Sequence, residues 1–295
     1  MRIGLNAPQY GSVTDPGALT RIARAVEDTG YDSLWVGDRI LAPVEPSDRY
    51  PGGDGVMPAQ YTRFLDPLGV LTFVAAHTNR LRLGTSTLNA PWYPPVLLAR
   101  SLTTLDVLSG GRVDVGFGLG WLRDEYTAVD VPWAGRGARL EETLDVLEHI
   151  WSAELVSYAG PLVTIVPTTI EPKPVQRPRP PILLAGFTPR ALDRVARRAD
   201  GWLAVGMPLP YLGTMWTSLK QRAVRPDFRM VLRLNPHLTD APSDQVPRAG
   251  TPRQIVDYAK ASGADEVLFD IAQTTTSEAE ILDVAGTLAD LMREG

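Results

Sequence analysis

Apolar positions along this chain follow two alternating rhythms. Short runs rich in Val, Ile, Leu and aromatic residues predict strands over 2–7, 33–36, 81–85, 112–117, 182–185, 201–205, 230–234 and 266–270. Between them, apolar residues three and four apart predict helices. Ile22 and Val26 mark the helix at 15–29, and Val96, Ala99, Leu102, Leu105 and Leu108 mark 95–108. Leu140, Leu144, Leu147 and Ile150 form the apolar stripe of 136–151. Further helices are predicted over 66–77, 189–198, 211–222, 252–262 and 277–294. Asp15-Pro16 and Asp66-Pro67 each place a capping carboxylate before a proline, a helix start, and Gly30 closes the first helix.

Eight strands, each leading into a helix, fit an α/β chain of the (β/α)8 TIM-barrel class, one domain over 1–295, better than a doubly wound sheet. An insertion at 152–181 interrupts the rhythm. There Leu155-Val156-Ser157-Tyr158 and Leu162-Val163-Thr164-Ile165-Val166 flank Ala159-Gly160-Pro161 as a hairpin, and a proline-rich connector follows. The stretch 40–64 is rich in Pro, Gly and Asp and has no period, which predicts a lid or binding loop. Glu141, Glu142, Asp145 and Glu148 read as the solvated face of their helix.

In a barrel of this kind, chemistry belongs at the C-terminal strand ends. Those ends are Asn6-Ala7, Asp38-Arg39, Ser86-Thr87, Gly118-Leu119-Gly120-Trp121, Ala185-Gly186-Phe187-Thr188, Gly206-Met207, Asn235-Pro236 and Asp270. Gly116, Gly118 and Gly120 strip side chains from the fourth exit, either so that a flat or anionic ligand can meet the backbone or simply to permit tight packing. A Rossmann reading fits poorly: the third glycine falls at the wrong spacing and the run follows the fourth strand, not the first.

Composition narrows the chemistry. The sequence has no cysteine, so it offers no thiolate nucleophile, disulfide or cysteine metal site. His77, His149 and His237 are the only histidines and share no metal-binding spacing, so no metal is expected. A net charge of −5 argues against nucleic acid as a partner. No apolar run reaches the roughly 18 residues of a membrane span, and the N-terminus lacks a signal-like stretch, so a cytoplasmic protein is expected. Lys173, Lys220 and Lys260 are the only lysines among 29 basic residues, an arginine bias typical of GC-rich genomes.

An ordered series of motifs resembles the luciferase-like monooxygenase superfamily of flavin- and deazaflavin-dependent barrels. It comprises Gly30-Tyr31-Asp32-Ser33-Leu34-Trp35-Val36-Gly37-Asp38, Arg80-Leu81-Arg82-Leu83-Gly84-Thr85-Ser86, Leu105-Asp106-Val107-Leu108-Ser109-Gly110-Gly111-Arg112 and Gly116-Phe117-Gly118-Leu119-Gly120-Trp121. Arg136-Gly137-Ala138-Arg139-Leu140-Glu141-Glu142, Pro180-Pro181-Ile182-Leu183-Leu184-Ala185-Gly186 and Ala199-Asp200-Gly201-Trp202 continue it. Within the superfamily the chain is most similar to the coenzyme F420-dependent oxidoreductases typical of actinobacteria, with FMN as the alternative cofactor.

The resemblance implies hydride transfer between deazaflavin and a small organic substrate, the ring lying in the barrel mouth. It assigns Asn6, Ala7, Ser86, Thr87, Gly118, Gly120 and Trp121 to the cofactor, with Ser86-Thr87 backing the ring through a non-proline cis peptide. Ala185, Gly186, Phe187 and Thr188 are the expected phosphate cradle. Many relatives carry His after the second-strand Asp, and the sugar-phosphate dehydrogenases carry Glu after the Gly-x-Gly exit; here those positions are Arg39 and Trp121. These departures speak against sugar-phosphate dehydrogenase activity and leave no general acid in the usual place. Asp38 and Arg39 are the candidate catalytic pair, with Arg39 suited to an anionic substrate or cofactor tail. Loss of the usual His and Glu leaves open a non-catalytic F420-binding member, and an FMN-dependent monooxygenase is the other alternative. A homodimer is also implied by the resemblance.

Overall fold

The computed structural model describes residues 1–294. Eight parallel strands form the barrel: β1 (Arg2–Asn6), β2 (Ser33–Val36), β3 (Arg82–Thr85), β4 (Val113–Gly118), β5 (Ile182–Ala185), β6 (Gly201–Val205), β7 (Arg229–Leu234) and β8 (Glu266–Phe269). Neighbours pair in sequence order, β1 with β8, and β3 with β4 through Leu83 opposite Val113, so the sheet closes on itself. Closure removes every edge and sends both ends of each strand to opposite faces of the molecule.

The helices are α1 (Pro16–Asp28), α2 (Pro67–His77), α3 (Pro95–Ser109), α4 (Arg123–Ala128), α5 (Arg136–Ser152), α6 (Pro189–Arg198), α7 (Leu209–Arg222), α8 (Pro252–Ala261) and α9 (Glu278–Arg293). Local chemistry fixes their starts. Asp15, Asp66, Thr188, Thr251 and Ser277 each accept a backbone N–H of the first turn. Gly110 ends α3 in the left-handed region, where a side chain would be strained.

Trp35 fills the barrel interior with Leu183, Leu203, Val231 and Leu268 around it. Gly4 and Gly84 face its ring; a Cβ at Gly84 would lie 2.2 Å from Trp35 Cε3, so these glycines make room for the indole. The larger core lies between the barrel and its helices.

Two sequence expectations change. The 152–181 insertion is an antiparallel hairpin, but of Val156–Ala159 with Thr164–Thr168, with a register irregularity between Val156 and Tyr158. The stretch 40–64 is irregular, as its lack of period predicts, and holds one 3-10 turn, Ala59–Thr62. The carboxylates of α5 are not a solvated face. Glu142 is buried and accepts the N–H groups of Leu162 and Val163, pinning the hairpin, while Glu141 pairs with Arg194 at 2.8 Å and Asp145 with Arg198 at 2.7 Å on α6. Periodicity marked those positions as polar; it could not see which arginines α6 would bring opposite them.

Candidate functional site

A cavity of about 580 Å³ opens at the C-terminal mouth of the barrel. Asp38, Arg39, Ser86, Thr87, Gly118, Gly120, Trp121, Ala185, Gly186, Phe187 and Thr188 all line it. Asn6 and Ala7 do not line it. Both are buried, with Asn6 Nδ2 donating to the Ala7 carbonyl and the Ala7 N–H donating to Trp35 O, while Asn6 Oδ1 has no partner. The first-strand exit thus supports the second strand from beneath.

The exit of β2 is locked by Gln9. Its Oε1 accepts the Gly37 N–H at 2.8 Å, and its Nε2 donates to the carbonyls of Gly37 and Leu65. This fixes the direction in which Asp38 leaves the strand. Asp38 Oδ2 accepts the Asn89 N–H at 2.9 Å and the Tyr93 hydroxyl at 3.1 Å. Burial pushes the Asp38 carboxyl up to about 7, against the pull of those two donors. A carboxyl with that affinity can hold or release a proton near neutrality.

Arg39 lies between two rings, its guanidinium carbon 4.9 Å from the centroids of both Tyr61 and Trp121, and its Nη1 is 3.5 Å from Glu125 Oε1. Glu125 also accepts the Ile40 N–H at 2.9 Å, and burial raises its carboxyl against the pull of Arg39. Arg39 is therefore already matched by a carboxylate and two ring faces. Asp38 and Arg39 make no ion pair with each other: one turns to Asn89 and Tyr93, the other to Glu125.

The floor is the Ser86-Thr87 turn packed against Gly118. Ser86-Thr87 is a cis peptide, as the resemblance implied. The Ser86 N–H donates to Val36 O at 2.7 Å, and the Ser86 carbonyl accepts Arg233 Nη1. Gly118 faces Thr87, and a Cβ there would lie 2.4 Å from Thr87 Oγ1, so glycine at 118 makes room for the Thr87 side chain. On the far side of β5, Trp202 Nε1 donates to the Gly186 carbonyl at 3.0 Å, and Thr188 caps α6 through the Ala191 N–H. Arg136, the first residue of α5, also lines the cavity; its Nε is buried without a partner, and its guanidinium stacks 3.6 Å from the Trp133 ring centroid. Arg194 of α6 reaches the Gly137 carbonyl at 3.3 Å, tying the α5 start to α6.

Sequence reasoning missed part of this wall. Tyr10, Tyr50, Tyr61, Phe64, Arg136 and Arg233 line the cavity without having been singled out. Arg233 is clamped to Asp270, which also accepts from Asn235 Nδ2 and the Tyr10 hydroxyl, each at 2.7 Å. One signal was available: Arg233 shares strand parity with inward-facing Val231. Among the described residues, no cluster of three or more His, Asp or Glu could hold a metal ion.

A closed (β/α)8 barrel with a cavity at its C-terminal mouth has the architecture in which ligand sites are built from the strand exits. The chain belongs to the luciferase-like monooxygenase family, whose model matches residues 2–287. It is 35% identical over 211 residues, 69% of this chain and 74% of the relative, to the uncharacterized protein Rv0953c of Mycobacterium tuberculosis. It is 29% identical to the F420-dependent glucose-6-phosphate dehydrogenase of Amycolatopsis mediterranei, covering 74% of this chain and 61% of that protein. An FMNH(2)-dependent dimethylsulfone monooxygenase of Pseudomonas putida is 28% identical over 59% of this chain and 48% of its own length. The fold is shared with the monooxygenase RslO1 of Streptomyces bottropensis, with a TM-score of 0.79, 22% identity and 98% of both chains covered. The family thus includes both F420-dependent and FMN-dependent enzymes.

Proposed function

We propose that the protein is an F420-dependent oxidoreductase that transfers hydride between the deazaflavin and a small organic substrate. The observation that carries this reading is the cavity at the strand exits, which brings the Ser86-Thr87 turn beside Asp38 and is closed at its α6 side by an arginine with an unsatisfied nitrogen. Both features suit a ring with an anionic tail: the strand-exit turn gives the ring a floor, and the Arg136 guanidinium with the Thr188-capped start of α6 suits a phosphate. The deazaflavin is preferred over FMN because the F420-dependent relative covers more of this chain than the FMNH(2)-dependent one.

When bound, the reduced deazaflavin supplies hydride at its central ring carbon. The chain's own residues do the rest. Ser86, Thr87 and Gly118 would back the ring; Gly186, Phe187, Thr188 and Arg136 would hold the tail. Asp38, protonated below about pH 7, gives a proton to the substrate, with Tyr93 and Asn89 holding its other oxygen. Tyr50, Tyr61 and Trp121 close the cavity against water.

The FMN reading stays as the second, favoured by the Pseudomonas relative. We also assign the protein to the cytoplasm as a homodimer. Support for pairing comes from Leu97 and Leu108 of α3, apolar and 49% and 61% exposed; light scattering in solution tests it. Anaerobic mixing with reduced F420 and a panel of candidate acceptors tests the activity. Oxidation of the cofactor with an acceptor, lost in Asp38→Ala, supports the reading; binding without turnover of any acceptor points to a non-catalytic member.

A further inference from the structure

Five aromatic rings form one continuous wall of the cavity. Tyr10 stacks on Phe64 with centroids 5.1 Å apart and planes within 4°. Tyr61 meets both edge-on at 5.2 and 5.9 Å, Tyr50 meets Tyr61 at 5.9 Å, and Tyr50 meets Trp121 at 5.5 Å. Tyr50, Tyr61 and Phe64 come from the 40–64 stretch, so the wall belongs to the segment that covers the barrel mouth.

The charges around this wall are already spent. Arg39 is matched by Glu125, and Arg233 by Asp270, whose oxygens also take Asn235 and Tyr10. Arg136 is the one cavity-lining cation, among the described residues, without a carboxylate within ion-pair distance, and the proposed function gives it to the cofactor's phosphate. An ionic substrate entering against the rings would lose its water and gain no counter-charge.

We propose that the aromatic side of this cavity takes an uncharged, planar, conjugated molecule, held by the partly exposed rings of Tyr50, Phe64 and Trp121, with Tyr10 and Tyr61 buried behind them as support. This rests on the proposed function only for the division of the cavity between cofactor and substrate. Offset and edge-on ring contacts favour a flat conjugated guest over a saturated one of equal size. The paired arginines select against carboxylates, sulfonates and phosphates. Sugar phosphates are therefore excluded as substrates at this wall.

The matched probes are 1,4-naphthoquinone and its 2-sulfonate, titrated by calorimetry into the full-length protein with oxidised F420, and F420 itself is titrated in the same series. The neutral quinone is expected to bind at least tenfold more tightly than the sulfonate. Tyr50→Ala should weaken the quinone at least fivefold and leave F420 affinity unchanged, whereas Tyr50→Phe should behave as wild type. Equal or tighter binding of the sulfonate, no binding of the quinone, or indifference to Tyr50→Ala overturns the inference. If F420 fails to bind but the quinone still binds, the cofactor reading falls and this inference stands; the converse result sinks this inference alone.

Discussion

The Arg39 guanidinium stands 3.5 Å from the Glu125 carboxylate, and the two side chains are only 6% and 1% exposed. Glu125 also holds the Ile40 N–H, so one carboxylate both neutralises the buried cation and ties down the start of the 40–64 stretch. A neutral amide at this position can still accept the Ile40 N–H but leaves Arg39 charged, buried and unmatched. Glu125→Gln should therefore cost about 3 kcal/mol of stability. Chemical denaturation should show a lower midpoint, and limited proteolysis should cut faster within 40–64. An unchanged midpoint would mean that the two rings around Arg39 suffice.

Asp38 couples stability to pH. Its ordinary value is near 4, and burial raises it in the folded chain to about 7. Between those values the unfolded chain has released a proton that the folded chain still holds, so raising the pH favours unfolding. Stability from this group is full below about pH 4 and is lost as pH rises to 7. Asn at this position can accept both the Asn89 N–H and the Tyr93 hydroxyl on its amide oxygen, so it keeps the contacts and removes the titration. The Tm advantage of Asp38→Asn over wild type should grow across that window and level off above it. A constant difference at every pH would show that Asp38 ionises normally.

The sequence carried the barrel well because its information is local. Asp15, Asp66 and Thr188 each precede a proline and each caps a helix, so three starts could be read from two adjacent residues. Consecutive strands such as β3 and β4 pair across about thirty residues. The closing pair, β1 with β8 through Arg2 opposite Glu266, follows from the parallel alternation of eight units rather than from any local signal. Contacts made across the fold were not legible. Glu142 looked solvated because nothing near it in sequence announces that Leu162 and Val163 return to it. The aromatic wall was equally hidden: Tyr10, Tyr50, Tyr61 and Trp121 come from three separate segments without a shared period.

The floor depends on a missing side chain. A Cβ at Gly118 would sit 2.4 Å from Thr87 Oγ1 and 3.1 Å from Thr87 Cβ, so Gly118→Ala must displace Thr87 from its place in the cavity lining. F420 affinity should fall at least tenfold, with a stability loss of about 1–3 kcal/mol. Gly116→Ala is the contrasting case. Its Cβ would meet the Thr85 carbonyl oxygen at 1.9 Å, a backbone atom with no room to move, so loss of fold should dominate there. Circular dichroism melts separate the two outcomes.

Arg136 should act on the phosphate end of the cofactor. Its guanidinium rests on Trp133 and pairs with no carboxylate, so removing the charge leaves no carboxylate stranded. Arg136→Gln should weaken F420 at least tenfold yet leave unchanged the binding of the deazaflavin riboside, which lacks the phosphate tail. Equal losses for the two ligands would remove Arg136 from the cradle.

The most direct test is a parallel titration of the purified protein with oxidised F420 and with FMN, each followed by its own fluorescence. The account predicts that F420 binds at least tenfold more tightly than FMN, a difference of about 1.4 kcal/mol. Tighter binding of FMN, or no binding of either, would contradict it.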